Sequence, residues 1–278
     1  VEHSRRYRSA LFGDHVGKHS MKRILKAEWL VLRRRGSGKA ILLASAVVPL
    51  VMLFGALALG DLEVSGEKLK ESLQYSGPSA AGWALWARHF FLMPMLLFFA
   101  AGQCLATERT NHNLRERLVR PVSRDTVLLS KTASLIGISW LGLLVTLVVA
   151  LALGTPIMGA DGPWKDVLLR YLASLCTDVA LVSYGLMLAV FFRSAAGVVV
   201  VGLVGLGIDF GVRLALKALG FLGVENVSAI EPFMPGSGLN CWNVEDGMFV
   251  WQSFAAVALW TLIAVLITRL RFQKMDVP

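Results

Sequence analysis

Apolar residues along this chain gather into six long runs, at residues 40–60, 89–106, 132–153, 168–192, 195–215 and 249–268. Each run approaches or exceeds the ~20 residues that a helix needs to cross the hydrocarbon core of a bilayer. Four of the six contain no Asp, Glu, Lys or Arg. The pattern predicts an all-α integral membrane protein of six transmembrane helices. Between the runs it leaves no stretch long enough for a soluble domain.

Before the first run, Met21, Leu25, Trp29 and Leu32 recur at helical spacing, while Lys22, Arg23, Lys26, Arg33, Arg34 and Arg35 lie largely away from that stripe. This predicts an amphipathic elbow helix over 21–36, lying in the inner interface with its cations on anionic lipid. Residues 1–20 are polar and mixed, and read as a disordered cytoplasmic leader. Its three histidines are irregularly spaced, and a solvated tail is favoured over a metal site. Both Val1 and Met21 stay open as the start of the natural chain. The division expected is thus a leader, 1–20, and a six-helix transmembrane domain, 21–278.

Charge placement orients the bundle. Of the 28 Lys and Arg residues, eleven precede Ala40 and six lie within 108–131. Segments 62–86, 155–167 and 221–248 are poor in basic residues. The positive-inside bias then places both termini and 108–131 in the cytoplasm, in a multi-pass protein of the cytoplasmic (inner) membrane. A net charge of +9 also fits a nucleic-acid binder, but these cations flank apolar spans, so no nucleic-acid partner is expected. The three cysteines have no ligand-like spacing, and no internal disulfide is expected.

Candidate chemistry is sparse. Gly36-Ser37-Gly38-Lys39 looks like the end of a phosphate-binding loop, but Arg33 stands where the first glycine belongs and Ala40 where Ser or Thr belongs. It reads instead as a flexible hinge between elbow and span. Neither a catalytic set nor a metal or cofactor site is expected, and the chain alone is not expected to be an enzyme. Met93-Pro94-Met95 reads as packing around a proline kink. In the outer segment a short helix is expected around 67–74, broken at Pro78 and Gly82. Pro235-Gly236-Ser237-Gly238 reads as a turn.

Charges inside spans are costly and mark function or structure. Asp178 lies near the middle of the fourth run, as a buried helix contact or a cavity-lining acid. Asp209 and Arg213 are four apart on the fifth run and are expected to pair on one helix face. Asp209→Ala is therefore expected to cost more stability than Asp178→Ala. The glycines of the fifth run, with Gly207 and Gly211 four apart, predict close helix approach within the bundle or against a second copy.

Segment 108–131 is too charged for a membrane and too patterned for a plain loop. Leu114, Leu118 and Val122 are four apart, Pro121 ends one helical stretch, and Ser123 can cap the next. Here the chain resembles permeases of the ABC type-2 exporter family. Glu108-Arg109, Leu114, Arg120-Pro121-Val122-Ser123-Arg124 and Leu128-Leu129-Ser130-Lys131 match its cytoplasmic motif in spacing. His112-Asn113 and Glu116-Arg117 depart from it. The resemblance covers residues 21–274.

It implies the membrane-spanning permease subunit of an ATP-driven exporter working by alternating access; the apolar, weakly charged bundle suits a lipid, drug or hydrophobic peptide, though the sequence does not name the substrate. The implied partners are a separate cytosolic ATPase, which would hold ATP and Mg, a second permease copy and membrane lipids. Within 108–131 it implies a coupling helix seated on that ATPase through Glu108, Arg109, Leu114, Arg117, Leu118, Arg120, Pro121 and Arg124. It further implies a short re-entrant hairpin at 214–224. Two other classes stay open: an ion-coupled secondary transporter using Asp178 and Asp209, and a non-transporting membrane scaffold.

Overall fold

A computed structural model describes residues 21–60, 62–64, 67–68, 75–111, 123–222, 230–242, 244–245, 248–249 and 251–275. Residues 21–34 are helical and form α1. Among the described residues six helices are long and apolar enough to cross a membrane: α2 (Gly36–Leu59), α3 (Gly77–Thr110), α4 (Arg124–Met158), α5 (Trp164–Phe191), α6 (Ala195–Phe221) and α8 (Trp251–Gln273). A short helix, α7 (Pro235–Leu239), precedes α8.

The spans alternate in direction. At one end Thr110 of α3 donates to the Arg193 carbonyl, and Arg124 of α4 reaches the end of α8. At the other, the Gly77 amide at the start of α3 donates to the Gly159 carbonyl past the end of α4. The first end carries the basic clusters and is called the basic end below. Sequence-local caps set several boundaries. Ser76, Ser123 and Ser194 accept from the amides of Ser79, Thr126 and Gly197, which satisfies orphan donors at the starts of α3, α4 and α6. Gly159 ends α4 at φ +91°, in the left-handed region that favours glycine.

Close approach at small residues holds the spans together, because the lipid phase gives helices no hydrophobic drive to associate. A Cβ on Gly102 would lie 2.7 Å from Ala195 Cα, and one on Gly185 would lie 2.9 Å from Ala101 Cβ. Gly202 lies directly on the Phe98 ring. Leu97, Phe98, Leu135, Ile138, Ala180 and Val198 fill the core between these contacts. Gly205, Gly207 and Gly211 instead face open space, so the expected close approach within the bundle is made at other glycines.

Several local expectations are corrected. The 67–74 helix is not formed at its start, since Glu67–Lys68 pairs antiparallel with Glu63–Val64. Pro78 and Gly82 do not break the chain. Pro78 sits in the first turn of α3, where its missing N–H is harmless, and Gly82 lies inside the helix. The second span therefore begins well before residue 89. The Gly36-Ser37-Gly38 hinge is the first turn of α2, and a Cβ on Gly38 would overlap the Leu32 carbonyl, so glycine permits a tight elbow. Pro235-Gly236-Ser237-Gly238 forms α7 rather than a plain turn. The implied 214–224 hairpin is absent as far as Phe221, because α6 runs unbroken to that residue.

α3 widens into π turns at Arg88–Leu92 and Gln103–Thr107. The first immediately precedes Pro94, whose ring would otherwise press on the Phe90 carbonyl of a regular helix. A second two-residue ladder pairs Val244–Glu245 with Met248–Phe249, so the last span starts at Trp251.

Candidate functional site

α4 has 35 residues and is about 52 Å long at 1.5 Å per residue, well beyond the ~30 Å hydrocarbon core. Its first turns, Arg124 to Lys131, precede the apolar run and form one wall of a polar cluster at the basic end. α1, α2 and α3 supply the other walls.

Among the described residues four charged side chains meet there. Lys131 Nζ lies 2.6 Å from Glu108 Oε2 and 3.3 Å from Glu28 Oε1. Arg35 pairs with the other oxygen of Glu108. Glu28, Glu108 and Lys131 are 4%, 2% and 1% exposed. Among the described residues two acids meet two bases, and such pairing is what makes burying charge tolerable. Arg35 Nη1 also donates to the Gln103 carbonyl at 3.3 Å, within the second π turn. One cluster thus fastens α1, the start of α2, the end of α3 and the start of α4. The exposed cations Lys22, Arg23, Lys26, Arg33 and Arg34 line the other face of α1, while Trp29 rests on Gly137 of α4.

Of the residues expected in the coupling segment, Glu108 is the hub of this cluster. Arg109 is partly exposed beside it. Leu114, Arg117, Leu118, Arg120 and Pro121 lie outside the described residues. Arg124 is already engaged: its Nη1 donates to the carbonyls of Phe272, Gln273 and Met275 at 3.2, 2.8 and 2.8 Å. That cation caps the C-terminus of α8, where unsatisfied carbonyls concentrate negative charge. Next to it Arg269 pairs with Asp125 at 2.8 Å.

Deeper in the bundle Asp178 is a buried helix contact. Its carboxylate takes two hydrogen bonds from Arg88, at 3.0 and 2.8 Å, and both side chains are 0% exposed. Arg88 Nη2 also donates to the Ser139 carbonyl and hydroxyl at 3.1 and 3.3 Å. α3, α4 and α5 are joined at this point. The sequence reading missed Arg88 as a partner because it placed the start of the second span at residue 89. The early start of α3 carries Arg88 inside the helix. Glu28 was missed as well, since its charge is hidden among the cations of α1. Its place on the buried stripe of α1 is the signal that would have found it.

Asp209 and Arg213 pair on one face as expected, with Arg213 Nε donating at 2.8 Å. Asp209 Oδ1 also accepts from the Gly236 amide at 3.1 Å, which ties α7 onto α6. A Cβ on Gly236 would overlap Asp209 Oδ2, so glycine is required there. The pair borders a cavity of about 520 Å³ between α3, α5, α6 and α7, walled by Phe90, Phe91, Leu203, Leu206 and Phe210. His89 lines it too. Because Arg88 can only donate, His89 Nε2 accepts from Arg88 Nη1 at 3.1 Å. The neutral ring then carries its proton on Nδ1, which has no partner among the described residues. The cavity is aromatic and apolar with a few fixed polar groups. Such a lining suits an apolar or amphipathic molecule.

A family model described as "ABC-2 family transporter protein" matches residues 24–220, from within α1 to the last turn of α6. No curated protein matches the chain.

Proposed function

The chain belongs to the ABC-2 family of transporter membrane proteins, and we propose that within it this is the permease subunit of an ATP-driven exporter. A separate cytosolic ATPase docks on segment 108–131 and supplies the work. A second permease copy completes the assembly in the cytoplasmic membrane, with both termini inside and α1 at the inner interface. The substrate is apolar or amphipathic and passes by way of the aromatic cavity beside Asp209 and Arg213.

The observation that carries this reading is the cluster around Glu108 and Lys131. These residues bound segment 108–131 and are paired with each other. A force applied to the segment therefore reaches α3 and α4 together, and through Arg35 and Glu28 it reaches α2 and α1. A loop that only signalled orientation would need cations, not a buried anchor of paired charges at both its ends. The ion-coupled alternative gains no such support, since Asp178 is sealed in a bidentate pair.

The test is co-purification. Tagged chain, extracted with a neutral detergent from its native host, should retain an ATPase subunit in stoichiometric amount and hydrolyse ATP with it. After the ATPase is stripped with salt, hydrolysis should vanish. A chain that carries no ATPase through gentle extraction would oppose the proposal.

A further inference from the structure

At the end opposite the basic cluster, a second cavity of about 510 Å³ lies between the first turns of α3 and α5. Trp83, Trp86 and Trp242 line it, and so do Asp166 and Arg170. Trp86 and Trp242 also border the deeper cavity, so the two chambers share a wall of indoles. Trp242 is itself stacked on His89, with ring centroids 5.7 Å apart.

The unusual feature is the state of the two charges. Arg170 Nε is buried and has no hydrogen-bond partner. Among the described residues neither Arg170 nor Asp166 forms an ion pair, although they are four apart on α5. The buried Arg88, Asp178, Glu108 and Lys131 each meet an opposite charge, whereas the half-buried Asp166 and Arg170 do not. Here a half-buried acid and base line one aromatic chamber, each without a partner among the described residues. Side chains at this spacing lie on one face of the helix, so both charges can address one bound molecule. Indole faces attract an organic cation and shelter an alkyl or aromatic body.

We propose that this chamber binds a zwitterionic amphiphile. Its anionic group sits on the Arg170 guanidinium, its ammonium group between Asp166 and the indoles, and its apolar body along Trp83 and Trp86. The site stands apart from the reading of the chain as a permease, since binding needs neither ATPase nor transport.

The test is native mass spectrometry of the full chain released from neutral detergent and titrated with four probes. Dodecyl betaine and lysophosphatidylethanolamine are zwitterions; dodecanoate carries only the anion and dodecyltrimethylammonium only the cation. At least one zwitterion should bind at one site, tenfold or more tighter than either singly charged probe. Binding of both shows that the paired charges suffice. Binding of the phospholipid alone identifies a lipid headgroup as the source, and of the betaine alone a free amphiphile. Arg170→Gln should weaken the zwitterion about tenfold. Asp166→Asn should weaken the zwitterion while strengthening dodecanoate, a crossed response that serves if Arg170→Gln fails to fold. Equal binding of all four probes, or a zwitterion titration unchanged in Asp166→Asn, would overturn the proposal.

Discussion

Arg88 and Asp178 meet as a doubly hydrogen-bonded ion pair with both side chains fully shielded from solvent, joining α3 to α5 in the middle of the bundle. Ser139 extends the contact to α4. Removing one partner of such a pair strands the other charge, at a cost of roughly 3–5 kcal/mol. Asp178→Ala is therefore expected to destabilise more than Asp209→Ala, because Asp209 and its partner Arg213 keep some exposure, at 10% and 15%. This reverses the order expected from the sequence. Thermal unfolding of the two variants in detergent checks it. The double variant Arg88→Met/Asp178→Leu should regain much of the loss, and an Asp209→Ala protein less stable than Asp178→Ala would contradict the assignment.

The Glu108 hub gives a second expectation. Glu108→Gln leaves Arg35 and Lys131 facing a neutral amide, with Glu28 the remaining acid among the described residues of the cluster. Stability should fall by a few kcal/mol. The amide should also loosen the grip of segment 108–131 on the spans, so that transport per ATP hydrolysed falls more than hydrolysis itself. In the double variant Glu108→Gln/Lys131→Met the stability losses should be far from additive, as for residues in direct contact. Additive losses would show that the pair does not act as a unit.

Arg124 is expected to act on α8 rather than on a docking surface. Arg124→Ala removes a cation from three carbonyls at the end of that helix. A loss of about 1 kcal/mol is expected, of the size seen for charges at helix termini. ATPase retention should be nearly unchanged. Release of the ATPase by Arg124→Ala at unchanged thermal stability would place this residue on the docking face instead.

Orientation is checked with single cysteines in a chain otherwise free of them. Asn111 and Asp161 are exposed at opposite ends of the bundle. An impermeant thiol reagent should label Asp161→Cys in intact cells and leave Asn111→Cys untouched until the membrane is opened. Ser76 is a poor reporter, being 5% exposed and engaged in capping α3. The reverse labelling pattern would invert the topology.

The six spans and the cap at Ser123 were legible because apolar length and capping chemistry are local properties of the sequence. The start of α3 was not. Pro78 and Gly82 carry the same local signal in a turn as in a helix, and only the contact of Gly77 with α4 decides between them. The Asp209–Arg213 pair was readable because both residues lie on one helix. Arg88–Asp178 spans 90 residues of sequence, and Glu108–Arg35 spans 73, so neither has a periodicity that could reveal it. The unpaired state of Arg170 was equally invisible, since it depends on what the fold fails to bring near.

Leu118 offers the most direct test of coupling through segment 108–131. Its four-residue spacing from Leu114 and Val122 in the sequence predicts an apolar ridge, and removal of an apolar anchor at the centre of an interface costs about 2 kcal/mol or more. The measurement is pull-down of the ATPase together with substrate-stimulated ATP hydrolysis in Leu118→Asp, with membrane insertion and thermal unfolding followed in parallel. Both ATPase readouts should collapse while insertion and unfolding stay as in the natural chain. Unchanged pull-down and unchanged stimulation would show that the segment does no more than orient the bundle.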